Sequence, residues 1–312
     1  MWVWPNVSYT PLMVDVVGVG ANSVDRVYRL PAFPSPTGPA SKLRIANHEV
    51  GPGGQTATTL CTCAAMGLTT RYVGATGNDD SGRLIRDALS RRKIDITHAV
   101  VRHAANAYAV ILIDDTQGER VVLWDRGSQL NLVPVEIDAA AVADARLLHV
   151  DDVDVEAALH AASIARAAGM PVTSDIETAG DKTDELISLV TVPIFAEHVL
   201  EPLTGEHDVE RALRALRRRH TGMLCVTLGA RGAMLLAGDR LHDEPAFPTT
   251  VVDTTGAGDV FRGGFITALL RGDAPEDILR FANAAAAISC SRLGAISGVP
   301  SMAETEPLAA RH

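Results

Sequence analysis

The 312-residue sequence predicts an α/β fold built on a mostly parallel sheet covered on both faces. Three observations carry that expectation. Short apolar runs rich in β-branched residues alternate with stretches of helical periodicity, the pattern of successive βαβ units. Hydrophobic residues make up 47% of the chain and its mean hydropathy is +0.12, enough for a sizeable core. No internal repeat, low-complexity tract or linker divides the chain, so residues 1–312 are expected to form a single domain.

Val14–Val19 reads as the first strand. Residues 24–50 then break the alternation, with prolines at 31, 34, 36 and 39 among short strand-like pieces. Helical spacing follows at 57–66, a strand at 70–73 and a helix at 81–89. Residues 107–124 break the pattern again: an apolar run starting at Tyr108, a polar loop Asp114-Asp115-Thr116-Gln117-Gly118, and a second run ending at Trp124. Two β-rich runs around a loop ending in Gly predict a hairpin. The segments 24–50 and 107–124 together predict a small sheet standing off the main domain. Beyond it, strands are expected at 147–150, 171–173 and 224–227, and helices at 155–168, 208–219, 263–270 and 275–292.

The formal charge of −10 and a pI of about 5.4 argue against a surface for nucleic acid or anionic membrane. The basic runs Arg91-Arg92-Lys93 and Arg217-Arg218-Arg219 follow helical patterns and are expected to complement helix C-termini. Apolar stretches such as 226–237 are broken by Gly and Arg well short of the roughly 20 residues a membrane span needs. The start, Met1-Trp2-Val3-Trp4-Pro5, has no basic leader character, so a cytoplasmic location is expected. Cys61, Cys63, Cys225 and Cys290 form no metal-type double pair. Cys61 and Cys63, if helical, point about 200° apart, and buried free thiols are expected.

The most informative stretch is Val252-Asp253-Thr254-Thr255-Gly256-Ala257-Gly258-Asp259-Val260-Phe261. A turn of small residues opening a helix aims backbone N–H groups at one point, where negative charge is stabilised. A carboxylate there, Asp259, would repel a merely bound phosphate but suits a base that deprotonates an attacking hydroxyl. A tight turn with a helix cap is the plainer reading of Gly-Ala-Gly alone. From Asp253 to Phe265 the string resembles the second signature of the PfkB sugar-kinase family, the ribokinase-like group. The resemblance extends over about residues 14–300. It implies a three-layer αβα sandwich, a β-sheet lid over the sugar site, ATP and Mg²⁺ as cofactors, and a homodimer formed through the lid.

Other motifs take their meaning from that resemblance. Gly51-Pro52-Gly53-Gly54-Gln55-Thr56-Ala57-Thr58 resembles the family's first Gly-Gly motif, in which Gly53 and Gly54 let substrate approach the backbone; helix capping is the alternative. Asp25, with Ser23 where ribokinases place Asn, would accept hydrogen bonds from sugar hydroxyls or else cap a turn. Asp151, Asp152 and Asp154 cluster after the strand at 147–150; Asp152 stands where ribokinases put a substrate-facing Glu, and capping of the next helix explains it equally well. These acids favour a neutral sugar unless Lys42, Arg44 or Arg126 offsets them. On the nucleotide side, Thr227, Gly229 and Gly232 resemble the loop beside adenine and ribose, although a β-turn accounts for them too. Asn283 in its run of alanines resembles the helix over the adenine, with close helix packing as the other reading, and Thr254 would join the nucleotide site. Asp253 would help hold a monovalent cation such as K⁺.

Two departures from the family pattern stand out. Thr58 replaces the usual Asn after the Gly-Gly pair and cannot offer two donors. The usual Asn-x-x-Glu before Leu203-Thr204-Gly205 is absent: Ala196 and Val199 stand there, with Glu197 and Glu201 displaced nearby, so that either one of these glutamates substitutes as a water-mediated Mg²⁺ contact or the metal is held mainly by ATP phosphates and water. This segment is similar to the ketohexokinase and sulfofructose-kinase side of the family. The expected reaction is ATP-dependent phosphorylation of a sugar hydroxyl, with Asp259 as base and the N–H groups of Gly256, Ala257 and Gly258 around the transferring group. Three rivals remain. A nucleoside kinase would want aromatic lid residues, and the chain is only 4% aromatic. A non-catalytic sugar-binding regulator would explain the two departures but not Asp259. A nicotinamide oxidoreductase would use Gly18-Val19-Gly20, but Ser23 replaces the third glycine of that fingerprint.

Overall fold

In a computed structural model, residues 13–116 and 120–311 are described. The chain runs β1 (Val14–Val19), β2 (Ser23–Leu30), β3 (Asn47–Gly53), α1 (Gln55–Ala65), β4 (Thr70–Val73), β5 (Ala75–Gly77), α2 (Asp80–Arg91), β6 (Val100–Arg102), β7 (Tyr108–Asp114), β8 (Arg120–Asp125) and α3 (Ala139–Ala143). It continues through β9 (Ala145–Asp151), α4 (Val155–Ala167), β10 (Val172–Ile176), α5 (Thr183–Leu189), β11 (Val192–Ala196), α6 (Glu197–Thr204), α7 (Val209–Arg217) and β12 (Leu224–Thr227). The hairpin β13 (Ala233–Ala237) and β14 (Arg240–Glu244) and the helices α8 (Ala257–Arg271), α9 (Pro275–Cys290) and α10 (Met302–Ala309) complete it.

The main sheet has the order β14-β13-β12-β11-β10-β9-β1-β4. From β4 to β12 every pairing is parallel, and the β13–β14 hairpin is antiparallel at one edge. Side chains alternate across a strand, so each strand feeds two cores. Val16 and Leu147 point into a core shared with α1, α8 and α9, through Leu60, Phe265 and Leu279. Their neighbours Val17 and Leu148 point to the other face, against Ala158 and Ala162 of α4 and Leu186 of α5. A third cluster packs α6 and α7 over β10 to β12 through Val199, Leu213 and Val226. The three layers of the expected sandwich follow from this alternation.

A second sheet, ordered β3-β2-β7-β8, is the lid. It joins the two segments that break the βα alternation, with Ser23 opposite Gly53 in an antiparallel pair and Val24 beside Tyr108 in a parallel one. One face buries Val27, Ala109, Ile111 and Ile113, with Leu293 of the main domain against them. The outermost strand β8 leaves Val121, Val122, Leu123 and Trp124 exposed, Trp124 at 76%. Of the hairpin loop, Gln117 and Gly118 lie outside the described residues, as does the start of the chain at residues 1–5.

Helix ends follow local rules. Asp79 caps α2 by accepting the Gly82 N–H, and Asp208 caps α7 by accepting that of Arg211. Arg91 and Arg217 sit in the last turns of the same helices, as the basic runs predict. Helix α8 begins at Ala257, six residues before its expected start at 263, because glycines 258, 263 and 264 obscure its periodicity. Those glycines have a packing reason: a Cβ on Gly263 would stand 2.4 Å from Thr62 Cβ of α1, and one on Gly264 would stand 3.1 Å from Ala282 Cα of α9. The four cysteines are free, and Cys61, Cys63 and Cys225 are buried. Among the described residues no helix is long and apolar enough to cross a membrane.

Candidate active site

Parallel strands deliver their C-terminal ends to one edge of the sheet, and the predicted site residues gather there. β1 ends at Val19 and leads through Gly20, Ala21 and Asn22 directly into lid strand β2, with no crossover helix, which removes the dinucleotide reading of Gly18 and Gly20. Gly20 has no room for a side chain: a Cβ would meet Asp151 Oδ2 at 2.2 Å and Thr56 Oγ1 at 2.3 Å. Asp151 Oδ2 accepts the Ala21 N–H and the Thr56 hydroxyl, each at 2.7 Å, and so ties β9, β1 and α1 together at the site. Asn22 donates to Tyr72 Oη (2.8 Å) and to the Ala75 carbonyl (2.7 Å), and receives Asn106 Nδ2 at 3.0 Å, fixing the root of the lid.

Asp25 sits on β2 where the lid meets the domain. It is 5% exposed and accepts the Ser23 hydroxyl at 2.7 Å. Burial, reinforced by the charge of Asp253, pushes its carboxyl up to about 6. Gly53, paired with Ser23 on β3, packs against this carboxylate: a Cβ there would fall 2.0 Å from Asp25 Oδ2. Gly54 adopts φ +97°, and a Cβ there would come within 2.4 Å of the Asn22 backbone. Thr58, buried in the first turns of α1, has a hydroxyl oxygen with no hydrogen-bond partner among the described residues.

Across the site the Asp253–Asp259 turn opens α8. Gly256 is in the left-handed conformation (φ 74°) and forms the N-cap. A Cβ there would press on Ala295 Cβ at 2.6 Å. The Ala257 N–H turns back to the Thr254 carbonyl at 3.2 Å; Gly258 and Asp259 follow in the first turn, where a helix has no carbonyl of its own to offer. Asp259 is 8% exposed, and burial pushes its carboxyl well above the usual carboxylate range, with Glu177, Asp25 and Asp151 adding to the push and Arg262 opposing it. Asp253 braces the turn: Oδ1 accepts the Thr255 N–H (2.8 Å) and Oδ2 the Gly294 N–H (2.9 Å). The Thr254 hydroxyl is held by Arg120 of lid strand β8, so the lid touches the turn directly.

The remaining expected residues lie around this centre. Asp152 Oδ2 accepts the N–H groups of Glu177 and Thr178 and the Thr178 hydroxyl, which fixes the loop after β10. Asp154 is ion-paired with Arg126 at 2.6 Å, so that lid cation is already matched. Thr227 ends β12 and Gly229 and Gly232 follow it, and Gly232 (φ +97°) packs so closely that a Cβ would stand 2.1 Å from the Glu244 carbonyl oxygen. Asn283 of α9 donates to the carbonyls of Glu244 (2.9 Å) and Pro245 (3.2 Å). Glu197 is ion-paired with Arg231, and Glu201 Oε2 lies 3.1 Å from His207 Nδ1.

Three residues escape the sequence reading. Asp175 at the end of β10 and Arg262 in α8 form a fully buried ion pair, at 0% and 1% side-chain exposure, and Glu177 Oε1 lies 3.9 Å from the same guanidinium. The signal was present: a single arginine inside the otherwise apolar run 260–270, and two acids spaced Asp175-Ile176-Glu177 at a strand end.

Comparison with known proteins agrees with this geometry. The family model for pfkB family carbohydrate kinases matches residues 13–302. A ribokinase of Haemophilus influenzae is 29% identical over 295 residues, 92% of this chain and 95% of that protein. A fructokinase of Salmonella typhimurium is 26% identical over 272 residues, covering 80% and 89% respectively. The structure of Arabidopsis thaliana ribokinase complexed with ribose and ATP superimposes with a TM-score of 0.81 at 25% identity, over 96% of this chain and 100% of that one.

Proposed function

The chain belongs to the pfkB family of carbohydrate kinases, and from that premise we propose how its own residues carry out ATP-dependent phosphoryl transfer to a sugar hydroxyl. The observation that carries the proposal is the placement of Asp259: a buried carboxylate in the first turn of α8, raised in pKa and adjoining the N–H groups of the turn. The sugar lies between Asp25 and Asp259, beneath the lid. Its hydroxyls donate to Asp25, and Gly53 and Gly54 keep the backbone close enough to receive it. Asp259 takes the proton of the attacking hydroxyl, and the N–H groups of the Gly256–Gly258 turn face the charge that builds on the phosphoryl oxygens. The nucleotide lies along the loop Thr227, Gly229 and Gly232 and against Thr254 and α9 near Asn283.

Among the described residues no group of three or more acidic, His or Cys side chains could cage a metal ion. With Glu197 already ion-paired to Arg231, the donor set fits Mg²⁺ carried in by ATP phosphates and water rather than by a protein cage. So bound, magnesium offsets phosphate charge during transfer. Both Asp253 oxygens are committed to backbone N–H groups, a poor fit to a potassium ion held by that side chain.

The acids at the sugar end and the matched Arg126 favour a neutral sugar. Exposed Val121, Val122, Leu123 and Trp124 on β8, with Val50 on β3, favour a homodimer through the lid, and a cytoplasmic location suits the free thiols. The test is sugar-dependent ADP release with Mg·ATP across aldoses, ketoses and adenosine. Asp259→Asn should lower kcat by about 10²–10⁴-fold while ATP still binds. Turnover of adenosine alone would replace the sugar reading with a nucleoside one. Full activity in Asp259→Asn would remove the base.

A further inference from the structure

Helix α8 is buried from Asp259 to Leu269, yet it carries an arginine three residues after Asp259, on the same side of the helix. The Arg262 guanidinium is enclosed. Nη2 is ion-paired with Asp175 of β10, Glu177 Oε1 stands 3.9 Å away, and Nη1 lies so close to Gly258 that a Cβ there would come within 2.6 Å of it. A buried cation against the very turn that receives the phosphoryl group needs a reason, because removing a guanidinium from water is costly unless its charge is used.

The surroundings supply one. Asp259 is faced by Asp25 from β2, Asp151 from β9, Asp175 from β10 and Glu177 from the loop just after it, and Arg262 is the cation that opposes them. His149 of β9 adds no charge, since burial pushes it down to about 3. Cys225 of β12 is a buried neutral thiol, and from α1 the Thr59 hydroxyl reaches only the Asp259 backbone carbonyl, at 3.2 Å. We propose that Arg262 is a positioning residue for the kinase reaction: ion-paired with Asp175 and packed against Gly258, it sets a positive charge beside Asp259 that favours the ionised form of the base against the surrounding acids. Glu177, at the mouth of the same cluster, acts in the opposite sense. Gly258 is then required twice, once to bring backbone to the phosphoryl group and once to leave room for the guanidinium.

The inference rests on Asp259 being the base, and one experiment separates the two claims. The pH dependence of kcat/KM for the sugar is measured at saturating Mg·ATP in the full-length protein and in Arg262→Met, Arg262→Lys, Glu177→Gln and Asp259→Asn. The acidic limb should move up by about one to three pH units in Arg262→Met. It should stay near its original position in Arg262→Lys and move down in Glu177→Gln. A limb unmoved in Arg262→Met, with activity lowered equally at every pH, would reduce Arg262 to packing and overturn the inference while leaving the base intact. If Arg262→Met does not fold, Glu177→Gln decides alone, because Glu177 is half exposed: a limb that stays or rises overturns the proposal. Activity retained in Asp259→Asn overturns both claims.

Discussion

Replacing Asp25 with Asn should make the protein more stable and a poorer kinase. The Asp25 carboxyl titrates near 6 against an ordinary value of 3.8, burial being the main cause. A rise of about 2 units, at about 1.4 kcal/mol each, corresponds to about 3 kcal/mol. The sign is set by the direction of the shift. Below 3.8 the carboxyl is protonated whether the chain is folded or not, and it costs nothing. Above 6 it is ionised in both states, and the folded protein bears the full penalty of a buried charge. Asn occupies the same space, its oxygen still accepts the Ser23 hydroxyl, and it carries no charge to bury. Urea unfolding at a series of pH values measures the difference. The two proteins should be nearly equal around pH 3, and the variant should lead by about 3 kcal/mol from pH 7 upward with an unchanged m-value. The KM for the sugar should rise, since a bound hydroxyl loses a charged acceptor. A stability difference that is the same at every pH, or that favours the wild-type protein at pH 8, would refute the reasoning.

Gly53→Ala should act on the same group from the other side. Its methyl would overlap Asp25 Oδ2, and a displacement costing about 1–3 kcal/mol should lower kcat/KM for the sugar about 10–100-fold, mostly through KM, as steady-state kinetics would show. Trp124→Asp places a charge near the end of the exposed apolar strand of the lid; sedimentation should find a dimer for the wild-type protein and monomer for the variant, and a dimer that persists in the variant would move the interface elsewhere.

Much of the fold is legible in the sequence because most of the parallel strands are buried on both faces and read as short apolar runs, as Val14–Val19 and Leu224–Thr227 do. β11 is harder to read. Pro193 argues against a strand, but β10 and β12 flank it on both sides and bury Val192, Ile194 and Phe195. The early start of α8 is hidden because its glycines serve contact with α1 and α9 rather than local propensity. The glycine turn and Asp259 are recognisable because their spacing is local. Asp175 and Arg262 are not, since their meaning depends on a pairing across 87 positions that only the packing of α8 on β10 brings about. The same limit applies to Asp152 and Asn283, whose residue types suit ligand binding but whose Oδ2 and Nδ2, respectively, are engaged by backbone groups of other segments.

The parallel pairing of β2 with β7 bears on how the molecule is made. Val24 lies beside Tyr108, so the lid's central pair closes a loop of 84 positions that contains α1, β4 and α2. Closing so long a loop costs chain entropy before any contact repays it, and the cost falls once the intervening elements have collapsed onto β1. During synthesis β2 therefore waits, with β3 as its only antiparallel neighbour, until most of the first third of the chain has taken shape. The strand that bears Asp25 thus gains its parallel neighbour only once the chain has been made as far as β7.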